Sequence, residues 1–140
     1  MSSEKGEIPV VALLIPSSWR SRLLSSEAER ELAAVAVVRS VGGPVVTVDE
    51  LSLLLNNAVA CVTGWGTPSL SEDLLASHPT LQLVAHTAGS IRKLVPASAM
   101  HGGLRVSHAA AVIADAVAEL VVSQALLGLR HLHDVDRAMK

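Results

Sequence analysis

The run Val10-Val11-Ala12-Leu13-Leu14-Ile15, ended by Pro16, decides the fold class of this chain. Six apolar residues without alternation are typical of a strand that is buried on both faces. Similar short runs recur along the sequence, at residues 35–41, 58–63, 81–86 and 104–107. Strands of this kind occur in parallel sheets that carry helices on both sides.

Polar, helix-forming stretches separate the apolar runs. Residues 19–34 predict a helix that Ser17 and Ser18 could cap. Residues 47–57 predict a second helix, with Thr47 and Glu50 spaced like a capping box. Ser69 and Glu72 have the same spacing at the start of a third, and residues 91–100 are helical or irregular. This alternation predicts an α/β fold: a flavodoxin-like, doubly wound parallel sheet of about five strands, followed by a long connecting helix.

The long helix is predicted over residues 112–139. Its first half is apolar on nearly all sides, so we expect it to be buried. Asp115 and Glu119 lie one helical turn apart within it and would be costly in lipid, which argues against a membrane span. An exposed polar stripe is the simpler interpretation of this pair, and catalysis by two carboxylates is the alternative.

Composition excludes several classes of function. The chain has 140 residues, with eleven basic and thirteen acidic side chains, and no basic patch, so nucleic acid is not an expected partner. Cys61 is the single cysteine, which excludes an internal disulfide and a cysteine-based metal site. Residues 1–9 are polar and lack a signal-peptide pattern, so we expect a cytoplasmic protein.

Ligands of open parallel sheets bind at the carboxyl ends of the strands. The turn Thr87-Ala88-Gly89-Ser90 is the best anion candidate there, because Gly89 permits close approach or a positive φ and the backbone N–H groups can cradle a carboxylate. An ordinary strand-to-helix turn is the alternative. Gly64-Trp65-Gly66 opens neither a phosphate loop nor a dinucleotide fingerprint, since Pro68 and Ser69 follow it. Trp65 either walls a ligand site or packs.

Six histidines could bind metal or transfer protons. His86 and His108 end strands near the expected cleft, where they could touch a ligand or be structural. His131 and His133 are two apart on a helix and point to different faces, so no metal site is predicted. His78 and His101 fall at turns, where we expect them to be solvated.

Four segments, in this order and spacing, resemble the D-isomer-specific 2-hydroxyacid dehydrogenases. They are Thr63-Gly64-Trp65-Gly66-Thr67-Pro68, residues 81–90, Leu104-Arg105-Val106-Ser107 and Ala116-Val117-Ala118-Glu119. The resemblance implies an NAD(P)-dependent oxidoreductase that interconverts D-2-hydroxy acids and 2-oxo acids. Residues 1–110 would then be an incomplete, flavodoxin-like substrate-binding domain, and residues 111–140 the helix that leads to an NAD-binding domain.

The resemblance also implies roles for individual residues. The N–H groups of Ala88, Gly89 and Ser90 would bind the substrate carboxylate, and Trp65 and Gly66 would line the same cleft. The family's catalytic Arg, Glu and His and its NAD or NADP fingerprint follow the long helix, so we assign no catalytic residue here and expect this chain alone to be inactive. The complete enzyme would be a homodimer, and a returning C-terminal segment would cover apolar surface of the sheet.

Two other interpretations follow from the same pattern. A non-catalytic, stand-alone remnant that binds a small carboxylic acid or a partner subunit stays open. A phospho-receiver domain shares the flavodoxin-like plan, but it needs an Asp at the end of the third strand, where this chain has Thr63 and Gly64.

Overall fold

The computed structural model of the chain describes residues 8–140. Most of the segment used for the signal-peptide argument therefore lies outside the described residues. The chain divides into two compact units, one ending at His108 and one spanning Ala109–Lys140.

The first unit contains a five-stranded parallel sheet. Its strands are β1 (Val10–Leu13), β2 (Val37–Ser40), β3 (Ala58–Thr63), β4 (Leu83–His86) and β5 (Arg105–His108). The order across the sheet is β2-β1-β3-β4-β5, and every neighbouring pair is parallel. The predicted doubly wound α/β fold is confirmed, and each apolar run contributes one strand. The bounds of β3 are those predicted, whereas the other strands differ from their runs by one or two residues at an end.

Seven helices lie among the described residues. They are α1 (Ser17–Leu23), α2 (Ser26–Val35), α3 (Val48–Leu55), α4 (Glu72–Ala76), α5 (Ala97–His101), α6 (Ala110–Leu129) and α7 (Leu132–Ala138).

The single helix predicted over residues 19–34 is wrong, because the chain forms α1 and α2 there. The Ser25 side chain accepts a hydrogen bond from the N–H of Ala28 and starts a new helix. A bidentate pair between Arg20 and Glu29, with a shortest N–O distance of 2.6 Å, ties α1 to α2.

Helix capping follows the predictions in part. Thr47 caps α3 by accepting from the N–H of Glu50, as expected, but the Glu50 carboxylate accepts from Gly42 instead of closing the box. Pro16 stands at the cap position of α1, so the expected caps at Ser17 and Ser18 are wrong. The helix predicted to start at Ser69 is α4. It begins later, at Glu72, because Ser71 is its cap.

One face of the sheet carries most of the core. Ala12, Cys61 and Val84 are in register on β1, β3 and β4, and all three are fully buried. Residues from the connections β2–β3, β3–β4 and β4–β5 pack on them: Leu51, Leu55, Leu70, Leu74, Leu94 and Val95. The connections β2–β3, β3–β4 and β4–β5 therefore cover this face.

The opposite face is covered unevenly. Leu13 and Ile15 of the first strand region are fully buried. On β3 and β4, however, Val62, Leu83 and Ala85 are only partly buried. The expectation that apolar sheet surface stays incompletely covered in this chain agrees with that pattern.

The buried ring of His78 joins the ends of two helices, so the expectation that it is solvated is wrong. Its Nδ1 lies 2.8 Å from the Leu74 carbonyl oxygen in α4. Its Nε2 lies 3.0 Å from the Ser52 carbonyl oxygen in α3. Both oxygens belong to last helical turns, whose carbonyls lack partners within the helix. A neutral imidazole donates from only one ring nitrogen, so His78 joins the two helices through one donated hydrogen bond and a second close polar contact.

We expect His78→Ala to destabilise the first unit by about 2 kcal/mol, because it leaves a cavity and removes the ring that joins the last turns of α3 and α4. Urea unfolding followed by circular dichroism measures the change. His101→Ala, at an exposed site on α5, is the control and should stay within about 0.5 kcal/mol of the parent chain. Equal stability of the two variants would show that His78 is not a structural tie.

The thiol of Cys61 should be unreactive in the folded chain. Burial in the core raises its pKa to about 12, and the thiolate is the reactive form. We expect a thiol reagent to label it at neutral pH only after denaturant is added. Rapid stoichiometric labelling of the native chain would contradict this placement of the residue.

The second unit differs from its prediction. The helix predicted over residues 112–139 is broken at Arg130 and His131, and His131 adopts a left-handed conformation with φ of 51°. No residue of α6 is buried, so the expected burial of this helix is wrong. By length and hydropathy alone α6 could cross a membrane, a test that core helices of water-soluble proteins also pass.

Candidate functional site

The carboxyl edge of the sheet has a topological switch point between β1 and β3. The chain leaves β1 towards β2 on one side, and it leaves β3 towards β4 on the other. Connections that depart in opposite directions leave a crevice at that edge, where open α/β sheets bind ligands. The loops that follow β1 and β3 therefore form the first part of the candidate site.

These two loops are fixed to each other. The Thr67 hydroxyl donates to the Leu14 carbonyl oxygen at 2.7 Å and accepts from the N–H of Gly64 at 3.0 Å. Gly66 has a φ of +82°, and a Cβ there would lie 2.9 Å from Cγ of Pro16. The loop after β3 therefore needs glycine at position 66 both for its backbone and for its contact with the loop after β1.

The loop after β4 contacts the loop after β3 at Gly64. A Cβ on Gly64 would lie 2.8 Å from Oγ1 of Thr87 and 2.7 Å from Cδ1 of Leu23. Thr87 also donates to the Thr63 carbonyl oxygen from its N–H, at 2.9 Å, and from its hydroxyl, at 3.0 Å. The predicted turn at Ala88 thus begins directly beside the loop that carries Trp65.

The turn Ala88-Gly89-Ser90 keeps space for a ligand. Gly89 does not adopt the positive φ that we considered, and a Cβ at this position would meet nothing within 4 Å. Within residues 8–140, the structure gives the N–H groups of these three residues no hydrogen-bond acceptor. Gly89 and Ser90 are exposed, whereas Ala88 is buried. The arrangement can accept a carboxylate without a charged side chain.

Trp65 contacts Trp19, the other aromatic residue of the chain. The ring centroids lie 5.1 Å apart with an interplanar angle of 76°, an edge-to-face pair. Trp65 nevertheless remains 52% exposed, so it both packs and presents a surface beside the crevice. The guanidinium of Arg22 lies 5.5 Å from the Trp19 ring centroid.

Sequence reasoning did not identify Trp19 as part of this region. Its contact with Trp65 joins α1 to a loop 46 residues later, a distance that no local pattern reveals. One signal was available, because the chain has only two aromatic side chains and each one follows a strand that flanks the switch point.

His86 and His108 occupy paired positions at the carboxyl ends of β4 and β5. His86 is 8% exposed, and its Nδ1 lies 3.0 Å from Oγ1 of Thr63, whereas His108 is exposed. Burial lowers the pKa of His86, and the nearby His108 lowers it further. The neutral imidazole is therefore favoured at His86.

The fold should lose stability when His86 becomes protonated. The unfolded chain binds that proton near pH 6.5, and the folded chain binds it only at lower pH, so the stabilisation is present above about 6.5 and is lost as pH falls. Urea unfolding between neutral and mildly acidic pH measures this slope. We expect His86→Asn to flatten it and exposed-site His101→Asn to leave it intact; an unchanged slope in His86→Asn would assign the effect to other groups.

A groove of about 560 Å³ lies at the opposite edge, between α4 and α5. Three of its polar side chains already have partners within the fold, since Ser98 donates to Glu72 and His78 lies against backbone carbonyl oxygens. Residues that precede β4 and β5 line it, so it is remote from the switch point. We therefore favour the carboxyl edge, which has donors that no other group uses.

The remaining candidate residues are not grouped into a single site. Among residues 8–140 no three side chains of the His, Cys, Asp or Glu type are grouped as a metal would require. His131 and His133 belong to the second unit, where His131 lies 3.6 Å from Asp134. Asp115 and Glu119 are exposed on α6.

Comparisons with known proteins support the fold. A crystal structure of a phosphoglycerate oxidoreductase from Rhizobium etli matches with a TM-score of 0.62 and 22% sequence identity. The match covers 94% of this chain and 40% of the other, so the chain spans two fifths of that protein's length. No protein-family model matches the chain. No curated protein matches it either.

Proposed function

We propose that this chain is the substrate-binding part of an oxidoreductase that interconverts D-2-hydroxy acids and 2-oxo acids. The observation that carries the proposal is the Ala88-Gly89-Ser90 turn, whose N–H groups have no acceptor within the described residues and which has open space at Gly89. The similarity in fold to an oxidoreductase, together with the motifs that resemble the D-2-hydroxyacid dehydrogenases, supports it.

In this proposal the chain contributes binding and orientation. The N–H groups of the turn hold the carboxylate, and the rigid contact between Gly64 and Thr87 fixes the turn relative to the loop after β3. The reacting carbon of the acid then lies above the switch point, where a second domain can approach it.

Residues 8–140 do not fit a nicotinamide cofactor. No glycine fingerprint follows any of their strands, and Gly64-Trp65-Gly66 continues into Pro68 and Ser69. We therefore propose that NAD or NADP, the Arg that binds the 2-oxo acid, and the His and Glu that supply the proton belong to a further domain. Hydride transfer is the chemistry the cofactor supplies when bound.

The exposed apolar surface of α6 supports a proposal about assembly. Its side chains include Val112, Val117, Leu120, Val121, Val122, Leu126 and Leu129, each more than half exposed. Surfaces of this kind mark interaction sites. We propose that they are covered in a cytoplasmic homodimer of the complete enzyme.

Carboxylate binding is testable on this chain. We expect pyruvate and D-lactate to shift the amide NMR signals of Ala88, Gly89 and Ser90, and pyruvamide, which lacks the carboxylate, to leave them unchanged. Gly89→Ala should weaken binding about tenfold, equivalent to roughly 1.4 kcal/mol, because its methyl group enters the space of the ligand.

Gly42→Ala is the matched control. A Cβ at either glycine meets nothing within 4 Å and neither has a positive φ, so both variants should unfold at the same urea concentration as the parent. Only Gly89→Ala should affect binding. If neither acid shifts the turn, or if Gly42→Ala weakens binding equally, the proposed function is wrong.

A further inference from the structure

Trp65 is a large aromatic side chain that remains half exposed. The chain has no Phe and no Tyr, and its core is built from aliphatic side chains. A large apolar ring gains free energy when it is buried, so an aromatic side chain that remains 52% exposed is available for a ligand.

The ring is held in position rather than free to collapse. Trp19 contacts it edge to face, and Arg22 lies over the Trp19 ring. Within the same loop, Gly66 lies close against Pro16, and the Thr67 hydroxyl donates a hydrogen bond to the Leu14 carbonyl oxygen. A pre-positioned ring loses little conformational freedom when a ligand stacks on it.

The sheet brings the loop of Trp65 next to the turn Ala88-Gly89-Ser90. Gly64 and Thr87 are in contact, and Trp65 and Ala88 are the next residues along the two loops. A ligand that anchors its carboxylate on the turn therefore extends over the loop that carries Trp65. No charged side chain of that loop, residues 64–68, is available to bind a polar substituent.

From this geometry we infer that the substrates are a D-2-hydroxy acid and its 2-oxo acid with an aromatic side chain, which stacks on Trp65 while the carboxylate is held by Ala88-Gly89-Ser90. The inference rests on the proposed function and adds the substrate class. Trp65 acts as a specificity residue, and Trp19 as the residue that positions it.

The two indoles are the only fluorophores of the chain, which gives a direct measurement. Trp19→Phe keeps an aromatic partner and leaves Trp65 as the single reporter. Excitation at the red edge of the indole band avoids absorption by a phenyl group. Titration with D-3-phenyllactate and with D-lactate, checked by isothermal calorimetry on the parent chain, compares the two classes of acid.

We expect D-3-phenyllactate to bind at least tenfold more tightly than D-lactate and to change Trp65 emission. Trp65→Ala should abolish this preference while D-lactate still binds, and Trp65→Phe should retain most of it. Circular dichroism shows that each variant is folded, and Leu53→Ala, at an exposed site on α3, is the control for loss of surface apolar area.

The outcomes separate the two proposals. Equal affinity for the two acids, or a preference that survives in Trp65→Ala, overturns the aromatic-substrate inference and leaves the proposed function standing. If neither acid binds, both fail.

Discussion

The close approach of β3 to its two neighbours at Gly64 is the constraint on which the candidate site depends. At this point a Cβ would find atoms of Leu23, Thr87 and Ile15 at 2.7, 2.8 and 3.3 Å, respectively. Because glycine stands there, the loops after β1, β3 and β4 come together at one edge of the sheet. A larger residue would separate the carboxylate turn from Trp65, although both lie outside the contact itself.

Much of the fold could be predicted because its determinants are local. A buried parallel strand is an uninterrupted apolar run, and β3 illustrates this with the bounds that its sequence predicts. The division between α1 and α2 was missed because Leu24-Ser25 resembles helix interior in composition, and only the bond from Ala28 to Ser25 reveals a new start. His78 was misjudged for a related reason, since its partners lie on α3 and α4.

The candidate site was predictable to a smaller extent. The turn at Gly89 followed from the rule that ligands bind at the carboxyl ends of parallel strands. The pairing of Trp19 with Trp65, and the contact of Gly64 with Thr87, depend on strand order and register, which no short pattern encodes. The burial expected for α6 failed for another reason: an apolar helix indicates that a partner surface is needed, but not that the same 140 residues supply it.

The strand order β2-β1-β3-β4-β5 also has a consequence for biosynthesis. A chain made from its N-terminus places β2 on one side of β1 and then adds β3, β4 and β5 successively on the other. Each strand after β2 therefore pairs with a strand that has already been synthesised, and no strand must be inserted between two that have paired. Between additions the newest strand presents an unpaired edge to solvent or to chaperones. The segments between the strands emerge in time to pack on the faces of the sheet, but they do not cover that edge, which is closed only by the next strand.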